Sequence, residues 1–206
     1  MFYCNDRTYV VCILGSSLRW NQTGSIVAGV GTRGSAANQF QDPTSLYVDA
    51  NGTVYVCDHH NYRLQKWAQG AVSGVTVIDT SVDGDHPIAF NFDKNGYLYL
   101  SSHNNDRVVR YPPDFSNGTT VAGKYGVSSS ALDCLNYPLG VDIDDDLNLY
   151  IVDQNNKRVM KWAPNATTGT IVIGSASTPK LYGILLSLYS SNEVYVSSEN
   201  TDSVYL

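Results

Sequence analysis

The chain has 206 residues, a formal net charge of -6 and 43% hydrophobic residues, which allow one soluble-type domain with a sizeable core. An acidic balance argues against a phosphate-binding surface, because nucleic-acid binders concentrate Lys and Arg on one face, so nucleic acid is an unlikely partner. No apolar run approaches the roughly 20 residues that a membrane-crossing helix needs. Fifteen tyrosines and seventeen glycines against two methionines favour strands and turns, and almost no helix is expected.

In chain order, the start is the least regular part. Tyr9 to Leu14 is apolar but lacks a basic stretch before it, so it reads as a strand rather than a leader. Residues 9–11 and 17–20 fit the second and third strands of a degenerate unit, and Ser25 to Ala28 (SIVA) its fourth. Pro43 to Trp67 (PTSLYVDANGTVYVCDHHNYRLQKW) is then a full unit: an alternating strand, an Asp/Asn/Gly turn, a second strand, a second turn, and a third strand. Apolar runs with β-branched and aromatic residues, cut by Asp/Asn turns, indicate short antiparallel strands joined by hairpins. The pattern returns at Pro87 to Tyr111, most clearly at Tyr137 to Trp162, and more weakly at Leu181 to Tyr205. Val75 to Ile78, Thr119 to Ala122 and Thr170 to Ile173 supply a fourth strand to the first three of these. With the strands of each unit named a to d, the second-strand tyrosines stand at 55, 99, 150 and 195. Such intervals, with four strands each, mark the blades of a propeller.

The predicted fold is therefore all-β: a β-propeller of four-stranded antiparallel blades. About five units are expected, over 1–37 (degenerate), 40–83, 86–124, 137–176 and 181–206 (incomplete, ending at strand c). An unpaired sheet edge is a liability, so the expectation is part of a larger ring of six blades, with a five-bladed closure as the alternative.

The recurring proline, alternating strand, D-x-x-G turn, V-Y-V-x-D, N-x-R and V-x-K-W resembles the NHL-repeat family of β-propellers, over roughly residues 40 to 206. The last unit departs from it, with Ser198 in place of the strand-b aspartate and Ser203 in place of the arginine. Asp58 with Arg63 and Asp153 with Arg158 are read as structural pairs. Each carboxylate accepts N–H groups of the following turn while facing the arginine. Ser102 breaks the pattern, and Asp106 is expected to stand in. Trp67, Trp162 and Trp20 are read as anchors between blades.

Candidate chemistry is sparse. Asp142, Asp144, Asp145 and Asp146 mimic the start of a calcium loop, but Leu147 holds the place that requires glycine, so a solvated turn is the better reading. His59, His60, His86 and His103 are the only histidines, and His59 and His103 occupy the same place in successive b–c turns. The resemblance brings in the peptidyl-hydroxyglycine lyases, which bind catalytic zinc through histidines just after the strand-a proline. Here those positions hold Thr44, Ile88 and Leu139, so scattered turn histidines are expected, with no cofactor and no metal. Cys4, Cys12, Cys57 and Cys134 form no C-x-x-C pair, and Cys4 and Cys12 are expected within bridging distance.

Four N-x-S/T sequons, at Asn21, Asn51, Asn117 and Asn165, fall in a–b or c–d connections. By strand parity they share one end of the blades, and the b–c and d–a loops share the other. The expectation is an extracellular, non-enzymatic module that binds a protein or glycan through the b–c and d–a face, with His59, His60, His103, Asn104, Gln154, Asn155 and Glu199 as candidates. The alternatives are an intracellular module like those of tripartite-motif ubiquitin ligases, binding RNA or protein, and a six-bladed hydrolase or lyase.

Overall fold

The computed structural model describes residues 24–175, 177–187, 193–198 and 201–206. Cys4, Cys12, Trp20, Asn21 and Glu199 lie outside them. The described residues form fifteen strands in four antiparallel sheets, each a meander in chain order. Sheet 1 holds β1 (Pro43–Val48), β2 (Val54–Asp58), β3 (Arg63–Trp67) and β4 (Val75–Asp79). Sheet 2 holds β5 (Pro87–Phe92), β6 (Leu98–Ser102), β7 (Arg107–Tyr111) and β8 (Thr119–Gly123). Sheet 3 holds β9 (Pro138–Ile143), β10 (Leu149–Asp153), β11 (Arg158–Trp162) and β12 (Thr170–Gly174), and sheet 4 holds β13 (Leu181–Leu186), β14 (Val194–Ser198) and β15 (Ser203–Tyr205). The one helical turn among the described residues is the 3-10 turn His59–Asn61. This is the propeller arrangement, with three complete blades and a fourth of three strands.

The blades share their irregularities as well as their strands. In sheets 1 and 2 the pairing slips just after the strand-a proline, between Pro43 and Ser45 and between Pro87 and Ala89. The slip returns opposite Pro138 in sheet 3. Strand d slips against strand c at Leu64/Gln65, Val108/Val109 and Val159/Met160. In each a–b turn an aspartate (Asp49, Asp93, Asp144) accepts the amides two and four residues on. The turn then passes through positive φ at Gly52, Gly96 and Leu147. Asp144 also accepts Asn148 Nδ2 and Tyr150 Oη, so it serves the turn it sits in, as Asp49 and Asp93 do theirs.

Each sheet buries one face on the next. Tyr47, Leu64 and Ile78 of sheet 1 meet Phe90, Leu98 and Leu100 of sheet 2. Val108 and Ala122 of sheet 2 meet Ile143, Ile151, Met160 and Trp162 of sheet 3, and Val152 and Val159 of sheet 3 meet Leu181, Val194 and Val196 of sheet 4. The expected strand at Ser25 to Ala28 is not formed: residues 24–30 are coil and bends, and Ile26 and Val27 are exposed. Cys57 and Cys134 are buried free thiols.

Candidate functional site

The geometry of the b–c and d–a end starts from how each blade fixes the connector that leads into it. In sheet 1 the Asp58 carboxylate, fully buried, accepts Arg63 Nε at 2.8 Å, Asn61 Nδ2 at 2.8 Å and the backbone N–H of Gln41 at 2.6 Å. Arg63 then donates to the carbonyls of Ser35, Ala36 and Gln39, and Asn61 to that of Gly34. Sheet 3 repeats the set with Asp153, Asn156, Arg158 and the amide of Asn136, on the carbonyls of Ser129, Ser130, Ala131 and Cys134. Each carboxylate faces its arginine, but the amide it accepts belongs to the connector upstream, not to the turn that follows. A turn amide could only close the hairpin; a connector amide ties a long loop to the blade.

Sheet 2 departs from the expectation. Asp106 does not replace the aspartate missing at Ser102; it accepts Ser128 Oγ and, at 2.8 Å, the backbone N–H of Tyr137. Arg107 is held by Asp85, from the connector itself, at 2.5 Å and 3.2 Å, and Asn105 Nδ2 joins Asp85 at 2.7 Å. The connector from Thr80 to His86 is much shorter than the other two, so it brings a carboxylate to the arginine in place of a row of carbonyls. Asn104 takes the remaining role, accepting the His86 amide and donating to the Gly84 carbonyl.

These connectors deliver their last residues onto the neighbouring b–c turns, and all four histidines meet there. The His59 ring lies 4.5 Å from His60, 5.0 Å from His86 and 5.1 Å from His103, centre to centre. His86 and His103 are 5.7 Å apart, Tyr62 stacks on His86 at 4.3 Å and Tyr137 on His103 at 4.5 Å. The histidines are thus one cluster rather than scattered turn residues. His59 Nδ1 sits 3.2 Å from the Pro87 carbonyl, and His60 Nδ1 is 2.7 Å from Asp42, which Arg33 also holds. The Nδ1 atoms of His86 and His103 are buried without a partner. Burial lowers the affinity of His59 and His86 for a proton, and burial with the neighbouring imidazoles brings His103 down to about 4. Near neutral pH His59, His86 and His103 are therefore uncharged, polar-edged rings. Among the described residues no group of three or more His, Cys, Asp or Glu is placed to hold a metal ion.

Of the candidate face residues, His59, His60 and His103 come together, Asn155 is exposed, and Asn104 is occupied by the connector. Gln154 is 4% exposed, not on the open surface. Sequence reasoning missed His86, Tyr62 and Tyr137. Asp42, His86 and Tyr137 each directly precede a strand-a proline, and that shared place was the available signal. At the other end, Asn51, Asn117 and Asn165 are all exposed. The turn at Gly52 abuts Gln69, that at Gly96 abuts Pro113, and Lys94 donates to the Asp145 carbonyl across two a–b turns. Among the described residues, these contacts join a–b turns to c–d connections and to one another.

Fold and end-loop geometry define a β-propeller with loops of two kinds at its two ends. The family model for the NHL repeat matches residues 40–67, so the chain carries an NHL repeat in its first complete blade. A comparison of the sequence with curated proteins gives no match. Among solved structures, an auxiliary nutrient binding protein from Bacteroides thetaiotaomicron superposes with a TM-score of 0.65 at 13% identity, over 82% of this chain and 48% of that one. The nidogen/laminin complex gives 0.61 at 16%, over 76% and 56%, and a streptogramin B lyase gives 0.60 at 12%, over 79% and 50%. The chain spans about half the length of these structures, and at such identities they share its fold.

Proposed function

We propose that this chain is a non-enzymatic, extracellular binding module that takes a protein or glycan ligand on its b–c and d–a face. One observation carries the reading. Six rings gathered from three blades stand at one end, with His60 and Tyr137 exposed and the others half-buried, and the three described sequon asparagines stand exposed at the other. Glycans are bulky and need solvent, and an end free of them is where a macromolecule can dock. A cluster of aromatic rings in which His60 and Tyr137 are exposed suits a ligand that stacks and hydrogen-bonds, as sugars and peptide side chains do. The nutrient-binding protein and nidogen among the structural neighbours lend this reading support, and the lyase supports an enzymatic one.

The test is a glycan array and a panel of purified extracellular proteins probed with the secreted chain. A ligand whose binding is lost on His60→Ala together with Asn155→Arg is the expected result; a panel without any binder, or binding indifferent to both substitutions, contradicts it. The enzymatic reading draws on the histidine cluster, but the lyase positions are Thr44, Ile88 and Leu139. Purified protein is expected to show no metal-dependent lyase or esterase activity. Stoichiometric zinc that survives dialysis and is lost from a His59→Ala, His103→Ala variant would favour the enzyme instead.

A further inference from the structure

We propose that the histidine cluster is a proton-operated switch: its rings pack together while uncharged, and acidification forces them apart and reshapes the junction of sheets 1, 2 and 3. The inference deepens the binding reading, since it places a pH-sensitive hinge in the proposed ligand face, but its test needs no ligand.

His59 is the hub, with three other imidazoles centred within 5.1 Å of it. Two of these rings charged together repel at a separation well inside a Debye length, in a half-buried setting that screens little. Nor can the cluster absorb the charge locally. The carboxylates that face it are Asp42, Asp85 and Asp106. Asp42 sits on His60 and Arg33, Asp85 is taken by Arg107 and Asn105, and Asp106 by Ser128 and the Tyr137 amide. Only His60 therefore has a carboxylate partner of its own. A protonated His86 or His103 would bury an Nδ1–H with no acceptor, a penalty that protonation of an exposed ring does not carry. The Tyr62 and Tyr137 rings close two sides of the cluster and supply no charge.

The sign follows. His59, His86 and His103 bind protons less readily in the folded chain than in the unfolded one, where the ordinary value is 6.5. The unfolded chain thus binds more protons from about pH 6.5 down to about 4, and stability falls with acid across that window while staying flat above it. The loss falls first on the cluster, which ties the b–c turns of sheets 1 and 2 to the connector ends at His86 and Tyr137.

The third blade supplies a conservative replacement, because Gln154 stands where His59 and His103 do in their own turns. The experiment is histidine titration by NMR on the whole chain, with melting temperatures at pH 7 and pH 5, for the wild type, His59→Gln, and His59→Gln with His103→Gln. In the wild type, His103 should titrate near 4 and His59 and His86 below 6.5, and melting should fall by several degrees at pH 5. The double variant should lose most of that fall. The single variant, which removes one ring only, should raise the His103 midpoint. A His103 midpoint near 6.5, a melting profile the double variant leaves unchanged, or a His103 midpoint unmoved by His59→Gln would each overturn the proposal. A chain that titrates as expected yet finds no binder in the panel would overturn the binding reading alone.

Discussion

At the scale of single residues, the arginine at the start of strand c in each of the three complete blades ties its blade to the chain that leads into it. Arg158 is buried with the Asp153 carboxylate at 2.6 Å and spreads its other nitrogens over three connector carbonyls. Removing one member of a buried pair leaves a charge without a partner, a loss of about 3–5 kcal/mol. Asp153→Ala is expected to lower stability by that order in urea denaturation. Asp85→Ala should do the same in the second blade, whereas Ser102→Ala, which loses a single bond to Asn104, should cost about 1 kcal/mol. Equal effects at Asp85 and Ser102 would remove Asp85 from this role. The pairs Asp58–Arg63 and Asp153–Arg158 were legible in the sequence because five residues separate their members across one hairpin. Their carbonyl partners lie 24 to 28 residues upstream, in connectors without a repeated motif, so nothing in the pattern announced them. Asp85 was hidden for the same reason, and the nearer Asp106 took its place in the reading.

At the scale of elements, the end of strand c is packed by an aromatic ring laid on a glycine. A Cβ on Gly74, Gly118 or Gly169 would lie 2.5–2.6 Å from the ring of Trp67, Tyr111 or Trp162. Trp162 then joins the core between sheets 2 and 3, as an anchor between blades should. Trp67 instead stacks on Phe40 of the incoming connector at 4.6 Å. Trp162→Ala is expected to cost about 3–5 kcal/mol, read from the denaturation midpoint. A second close approach lies between β9 and β13, where a Cβ on Gly140 would meet the Tyr182 carbonyl at 2.7 Å. Backbone cannot swing aside as a side-chain tip can, so Gly140→Ala should destabilise by about 1–3 kcal/mol; a neutral result would mean that sheets 3 and 4 pack more loosely. The strands themselves were read almost to the residue, since proline opens the first three a–b–c runs and Trp or Tyr closes all four. The exception is Ser25 to Ala28, which carries strand-like residues yet is coil and bend with Ile26 and Val27 exposed: local pattern sets propensity only.

At the scale of the molecule, four blades set two chemically different ends. One is made of a–b and c–d turns and carries Asn51, Asn117 and Asn165; the other gathers six rings from three blades. Parity along a meander made the two ends readable from the sequence. The ring cluster was not, because it joins b–c turn residues to His86 and Tyr137, which the repeat pattern sets apart as connector ends. Expression through a secretory pathway, followed by glycan mapping, should find sugar on Asn51, Asn117 or Asn165; unmodified asparagines would favour an intracellular module. The most direct test of the central claim compares three proteins for the ligand that the panel identifies. One is the wild type, one carries His60→Ala, Tyr137→Asn and Asn155→Arg, and one carries Asn51→Gln, Asn117→Gln and Asn165→Asp. Asparagine tolerates the positive φ that Tyr137 adopts, so the first set keeps the backbone of that connector. The account predicts at least about tenfold weaker binding for that set, a loss of about 1.4 kcal/mol, and unchanged binding for the second. Unchanged binding by the first set, or loss confined to the second, would contradict it.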